Sequence, residues 1–143
     1  MQRTRRAFTL IEILIVVIIL GIMAAMVVPQ FVNATYEAST KAAVHEVQKL
    51  RRAIEVYQVR NENLLPDVTP GAGTWGGLTR DAGEYLKSAP LNPYVGAVND
   101  NVIVYGVGPD PAYQTTHAWI YNPATGEVWA GGFDAEDNPL PKP

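Results

Sequence analysis

A membrane-length apolar run near the N-terminus constrains this chain more than any other feature. Residues 13–28 contain no charged or strongly polar side chain, and the run extends back to Leu10 with Glu12 as its one interruption. As a helix, the 19 residues from Leu10 to Val28 would span about 28 Å, close to the ~30 Å hydrocarbon core of a bilayer. Because the run is apolar on all sides, it predicts a helix that faces lipid or is buried by partners.

A short basic segment precedes this run. Residues 1–7 contain Arg3, Arg5 and Arg6 and no acidic residue. Positive charge flanking an apolar helix tends to stay in the cytoplasm. We therefore predict a single-pass protein with a cytoplasmic N-terminus and an exported remainder.

The helical pattern continues beyond the apolar run. Neither glycine nor proline occurs between Gln30 and Arg60, and apolar side chains recur there at helical spacing, with Arg51 near the edge of the stripe. The stripe consists of Val32, Tyr36, Ala43, Val44, Val47, Leu50, Ile54 and Tyr57. One helix from about Phe8 to Arg60 is predicted, and its amphipathic second half needs a partner surface.

Residues 61–143 are richer in proline and glycine and predict a small sheet domain. We expect a loop over residues 61–74, a short helix over residues 81–87 and an irregular surface tail from Phe133. Strands are predicted at Val102–Val107, Ala118–Asn122 and Glu127–Ala130. Trp75, Trp119 and Trp129, together with the tyrosines, are expected to be core and rim aromatic residues of this sheet.

The last two predicted strands flank a four-residue hairpin loop, Pro123-Ala124-Thr125-Gly126. That loop length places Ile120 opposite Trp129, and Trp119 opposite Ala130 on the other face.

These elements predict an α+β fold in which a long N-terminal helix packs on a small C-terminal antiparallel sheet. The expected organisation is a leader over residues 1–7, a transmembrane and assembly helix over 8–29, an amphipathic helix over 30–60 and a globular domain over 61–143.

The start of the apolar run combines three residues at fixed spacing. Ala7 ends the basic segment, Phe8 opens the run, and Glu12 lies about one helical turn later. A carboxylate in a membrane helix costs several kcal/mol unless it is paired or near the interface. Glu12 is therefore either tolerated near the headgroups or paired with a cation in an assembly. A cut before Phe8 would create such a cation, a free α-amine.

Arg6-Ala7-Phe8-Thr9-Leu10-Ile11-Glu12 resembles the cleavage and N-methylation motif of type IV pilins and type II secretion pseudopilins. The resemblance is specific over residues 1–35 and architectural afterwards. It implies that a prepilin peptidase cuts between Ala7 and Phe8 and methylates the amine of Phe8. It also implies that Glu12 pairs with the Phe8 amine of an adjacent subunit. Glycine commonly precedes the cut in this family, and Ala7 stands there in this chain, so cleavage is expected to be normal or slower.

Gly21 and Pro29 are the helix-weakening residues of the apolar run. Proline removes one backbone donor and crowds the carbonyl of Ala25, and glycine weakens a helix by about 1 kcal/mol relative to alanine. Both could be tolerated kinks. The resemblance implies an alternative, in which the stretch between them unwinds and lets a filament extend.

A cluster of oxygen ligands near the C-terminus is the one candidate metal site. It comprises Asp134, Glu136, Asp137 and Asn138. Calcium prefers such ligands, and major pseudopilins resemble this chain in having calcium in their C-terminal loops. The spacing matches no EF-hand loop, and a solvated acidic tail is the alternative. No other cofactor or metal is predicted.

Enzymatic function is not expected, because the sequence has no nucleophile elbow, phosphate-binding loop or HExxH spacing. Nucleic acid is not an expected partner, because the net charge is −3 and Arg51-Arg52 is too small a basic patch. The resemblance favours a structural filament subunit, foremost a major pseudopilin that drives export by a type II secretion system. Its implied partners are prepilin peptidase, further copies, minor pilin-like subunits, the assembly platform of the bacterial inner membrane and the bilayer. After assembly the filament would be periplasmic or extracellular.

Two alternatives stay open. A type IV pilin for adhesion, motility or DNA uptake would share the motif, but many such pilins close a C-terminal loop with a disulfide, and this chain has no cysteine. The loop over residues 90–94 loosely resembles a pseudopilin loop. A secreted or membrane-anchored binding domain is the other alternative, although Glu12 interrupts the apolar region and no clear A-x-A cleavage site follows.

Overall fold

The computed structural model describes residues 8–80 and 84–143. Its first element is a 51-residue helix, α1, which runs from Leu10 to Arg60 and continues through Pro29. This confirms the predicted single helix. One apolar window of α1 has a mean hydropathy of 3.0 with none of it buried, so by length and composition the helix can cross a membrane.

The chain divides into two compact units, Met1–Tyr36 and Glu37–Pro143. The first buried residue of α1 is Ala43, and the others are Val47, Leu50, Ala53 and Ile54. These side chains join one core with the strands of the second unit. From Ala43 onward the amphipathic stripe therefore finds its partner surface within residues 37–143, as predicted, whereas Val32 and Tyr36 are exposed.

A four-stranded sheet completes the second unit. Its strands are β1 (Gly71–Ala72), β2 (Val102–Tyr105), β3 (Trp119–Tyr121) and β4 (Val128–Ala130), in the spatial order β1-β2-β3-β4. The β3–β4 pair is antiparallel, with Ile120 opposite Trp129 and Trp119 opposite Ala130. The predicted hairpin register is confirmed.

The sheet is mixed, which corrects the expectation of a purely antiparallel one. β2 and β3 are parallel neighbours, with Ile103 paired to Trp119. Residues 106–118 carry the chain back to the start of the next strand, and a parallel pair needs a connection of about this length. β1 was missed because two small residues carry no strand periodicity, yet they pair with β2.

The predicted short helix over residues 81–87 is also wrong at residues 84–87. Residues 81–83 lie outside the described residues, and 84–87 form no helix. The helical turn, α2, is Gly77–Arg80 instead. A distant side chain starts it, because the Gly77 amide donates to Asp67 Oδ1 at 2.6 Å. Glycine suits position 77 because a Cβ there would collide with the ring of Tyr57.

Aromatic rings fill the centre of the second unit. Trp75 and Trp119 are fully buried, as predicted, with ring centroids 6.2 Å apart in an edge-to-face arrangement.

The C-terminal tail also contributes to this core. Phe133 is fully buried, packs 4.8 Å from the ring of Tyr94 and forms an isolated bridge with Pro139. The tail therefore begins as core and not as irregular surface chain.

Candidate assembly site

Glu12 and Thr9 form a reciprocal cap at the start of α1. The backbone amide and hydroxyl of Thr9 each donate to Glu12 Oε2 at 2.8 Å. The Glu12 amide donates back to Thr9 Oγ1 at 3.3 Å. This is a capping box, in which a threonine N-cap and a glutamate three residues later satisfy amides that the first helical turn leaves unpaired. The sequence motif contains this pair, but its capping geometry was not foreseen.

The cap leaves part of the carboxylate open. Both hydrogen bonds from Thr9 reach Oε2, and Oε1 accepts none from the described residues. The surrounding side chains are exposed and apolar, including Phe8, Leu10 and Ile13. In a bilayer, an ionised oxygen among such side chains requires a cation or a donor from elsewhere.

The other residues predicted to act in cleavage or assembly lie before helix α1 or within it. Phe8 precedes the helix and is 83% exposed, whereas Ala7 lies outside the described residues. Gly21 and Pro29 both lie within continuous helix, so the chain is not unwound between them in this state. A Cβ added at Gly21 would meet no atom within 4 Å.

The predicted oxygen ligands of the C-terminal tail form a closed loop. Asp134 Oδ1 accepts from the amides of Glu136 and Asn138 at 3.0 and 2.8 Å, and Oδ2 accepts from Asn138 Nδ2 at 3.1 Å. The backbone hydrogen bond from Asn138 is the main cause that holds the pKa of Asp134 below its usual range. Asp134 is therefore an ionised acceptor for its own loop.

Arg51 pairs with a second of the three carboxylates of this loop, that of Asp137. Its Nη1 and Nη2 atoms donate to the two oxygens of Asp137 at 2.5 and 2.8 Å. Calcium takes six to eight oxygen ligands. Asp134 already receives N–H donors and Asp137 already faces a guanidinium, so the residues present do not fit that ion. No group of three histidine or acidic side chains in the described ranges converges to hold a metal.

Asn92 is a positioning residue that the sequence did not single out. It lies in the loop over residues 90–94 and is fully buried. Its Nδ2 donates to the carbonyls of Ala118 and Gly131 at 3.0 Å each, and its Oδ1 accepts from the Tyr94 amide at 3.0 Å. One side chain thus joins this loop to the ends of two strands. The adjacent proline was the available signal, because Asn-Pro favours the start of a turn.

Comparisons with known proteins place these features in a family. A model described as the prokaryotic N-terminal methylation motif matches residues 2–28. The type II secretion system core protein G of Pseudomonas aeruginosa is 35% identical over 105 residues, covering 65% of this chain and 70% of that protein. The protein of the same name from Aeromonas hydrophila is 33% identical over 104 residues, covering 66% and 71%. A fimbrial protein of Pseudomonas aeruginosa is 37% identical over 69 residues, covering 48% and 45%. No solved structure matches the chain.

The class follows from the methylation motif, the long apolar helix and the small α+β domain, which together define a pilin-like protein. Within that class, the chain belongs to the family of the type II secretion system core protein G. The predicted resemblance is confirmed.

Proposed function

We propose that this chain is a structural subunit of a type II secretion filament, processed between Ala7 and Phe8 and held in register by Glu12. The half-satisfied carboxylate of Glu12 carries the proposal. Thr9 occupies one of its oxygens, and the other accepts no hydrogen bond from residues 8–80 and 84–143 and lies in an apolar setting one turn from the new N-terminus. The Phe8 amine of an adjacent copy is the cation that fits this oxygen.

The charge arrangement also supports a location and an order of events. The basic leader keeps the N-terminus in the cytoplasm and the apolar helix holds the chain in the inner membrane. Prepilin peptidase removes the leader and methylates Phe8, and the assembly platform then adds the subunit to copies of itself and to minor pilin-like subunits. Pairing Glu12 with an amine removes two unpaired charges from the apolar filament core, which favours one axial register.

Glu12→Gln tests this role with little change in side-chain shape. The variant should insert and be processed, so that its mature mass still corresponds to methylated Phe8, but it should not assemble or support secretion. Glu37→Gln is the matched control, because Glu37 lies in the same helix in an exposed pair with Lys41 at 3.5 Å. Normal assembly of Glu12→Gln, or a mature chain that keeps its leader, would overturn the proposal.

A type IV pilin is the second candidate. The match to a fimbrial protein favours it, although that match covers only 48% of this chain. Deleting the gene separates the two functions. Loss of protein secretion with surface pili retained supports the secretion filament, and the reverse result supports the pilus.

The stretch between Gly21 and Pro29 is proposed to unwind on assembly. Gly21→Ala and Pro29→Ala each strengthen the helix, by about 1 and 3 kcal/mol respectively. The space at Gly21 accepts the extra methyl group. Both variants should insert normally and give shorter or less extensible filaments. Continuous helix from Phe8 to Arg60 in an assembled wild-type filament would refute unwinding.

A further inference from the structure

The side chain of Arg51 joins the C-terminal acidic loop, residues 134–138, to helix α1. Arg51 donates two parallel hydrogen bonds to the carboxylate of Asp137, and its Nε and Nη2 atoms also donate to the Val128 carbonyl at 3.3 and 3.2 Å. One guanidinium therefore connects the helix, strand β4 and the loop. The planar fork of arginine matches a carboxylate in this bidentate geometry, which lysine cannot reproduce.

The pair is sheltered from water. The side chain of Asp137 is 15% exposed and that of Arg51 is 35% exposed. Asp137 also adopts a left-handed backbone conformation, with φ of 61°. That conformation is uncommon for residues with a side chain, although aspartate adopts it more readily than most.

We propose that the Arg51 guanidinium supplies the positive charge that closes this loop, so the domain folds without calcium. The same oxygens cannot serve both cations well. A calcium ion at Asp137 would displace the arginine or lie against its charge. At Asp134 it would meet the amides of Glu136 and Asn138, which point their hydrogens at the carboxylate. The loop is thus arranged around N–H donors and an internal cation.

The first test is the response of the full-length chain to calcium. The protein is kept in detergent micelles, and near-ultraviolet circular dichroism follows the buried ring pair Trp75 and Trp119 during melting. The Tm of the wild type should be the same in millimolar calcium chloride and in excess EGTA. A higher Tm in calcium, or saturable heat of calcium binding in titration calorimetry, would overturn the proposal.

The second test compares adjacent arginines. Arg51→Gln should lower the Tm by on the order of 10 °C, because it leaves the Asp137 carboxylate sheltered and unpaired. Arg52→Gln is the matched control, since Arg52 is the next residue of the same helix and is exposed. Its Tm should change by no more than about 2 °C. Equal Tm shifts for the two variants would contradict the assignment.

A mutant cycle covers the case in which Arg51→Gln does not fold. Asp137→Asn removes the charge from the other side and leaves a neutral group of similar shape. If the two side chains act as a pair, the double variant should be almost as stable as the less stable of the two single variants. If Arg51→Gln shows no melting transition, Asp137→Asn is tested alone. Its Tm must lie below that of the wild type, both with calcium and without it. Additive losses, or no loss in Asp137→Asn, would contradict the pairing.

Discussion

Replacing Asn92 with alanine should destabilise the domain far more than its position in a loop suggests. The side chain is fully buried and makes three hydrogen bonds to backbone groups. Alanine would remove all three. The Ala118 carbonyl would keep a partner, because it also accepts from the Gly131 amide at 2.7 Å. The Tyr94 amide and the Gly131 carbonyl would lose the partner that Asn92 provides.

The magnitude follows from those two groups. A buried backbone group without a partner costs about 1–3 kcal/mol, so the two groups together give roughly 2–6 kcal/mol. For a domain of this size, that loss corresponds to a fall in Tm of roughly 10–25 °C. Backbone hydrogen bonds nearby are retained, including the one from the Asn92 amide to the Asp100 carbonyl at 2.7 Å.

Thermal melting of the full-length chain in detergent, followed by near-ultraviolet circular dichroism, measures this loss. Asn99→Ala is the control, because Asn99 makes one exposed hydrogen bond, to the Thr115 carbonyl at 2.7 Å. Its loss should be below about 1 kcal/mol. If Asn92→Ala melts within a few degrees of Asn99→Ala, the argument from unpaired backbone groups fails.

Three further variants test the packing and charge of the domain. Burial raises the pKa of Tyr121 from 10.0 to about 12, so the stability that its neutral hydroxyl contributes is intact below pH 10 and lost as pH rises towards 12. Tyr121→Phe should therefore make the free energy of unfolding depend less on pH between those values. Burial favours the neutral form of Asp110, yet contacts from His117 and the Gly132 amide outweigh it and lower the pKa below 3.8. That stabilisation is present above pH 3.8 and lost as pH falls through the lowered pKa. The free energy of unfolding of Asp110→Asn should therefore fall less steeply than that of the wild type as the solution is acidified. Gly126→Ala should lower the free energy of unfolding, measured in urea, by at least about 1–2 kcal/mol, because φ at Gly126 is 80° and the added methyl group would collide with the side chain of Leu65.

Local patterns carried the successful predictions. The helix from Leu10 to Arg60 follows from periodicity, and the β3–β4 register follows from a four-residue loop between two apolar segments. Both depend on residues close together in the chain. The motif at Glu12 is equally local, since its spacing to Phe8 is one helical turn.

The failures share a different cause. The parallel β2–β3 pair depends on the path of a long connection, and α2 begins where Asp67 caps a residue ten positions away. The Arg51–Asp137 pair joins residues 86 positions apart. The sequence placed Arg51 at the edge of the apolar stripe and the acids in the tail, but no periodicity relates the two. Tertiary contacts of this kind override local preference, and one sequence does not encode them in a readable pattern.

The two units satisfy their charges and apolar surfaces by different means, and that difference sorts mutations by their effects. Residues 37–143 bury a core and pair their sheltered charge internally, as Arg51 with Asp137. In α1, burial begins only at Ala43, so the apolar residues before it contribute nothing to that core. A change such as Glu12→Gln should therefore leave the near-ultraviolet melting of the domain unaltered while it prevents assembly. Asn92→Ala should do the opposite, lowering the Tm while insertion and leader removal proceed. The separation follows because Arg51 and Asp137 pair within the domain, whereas the proposed partner of Glu12 is the Phe8 amine of an adjacent subunit.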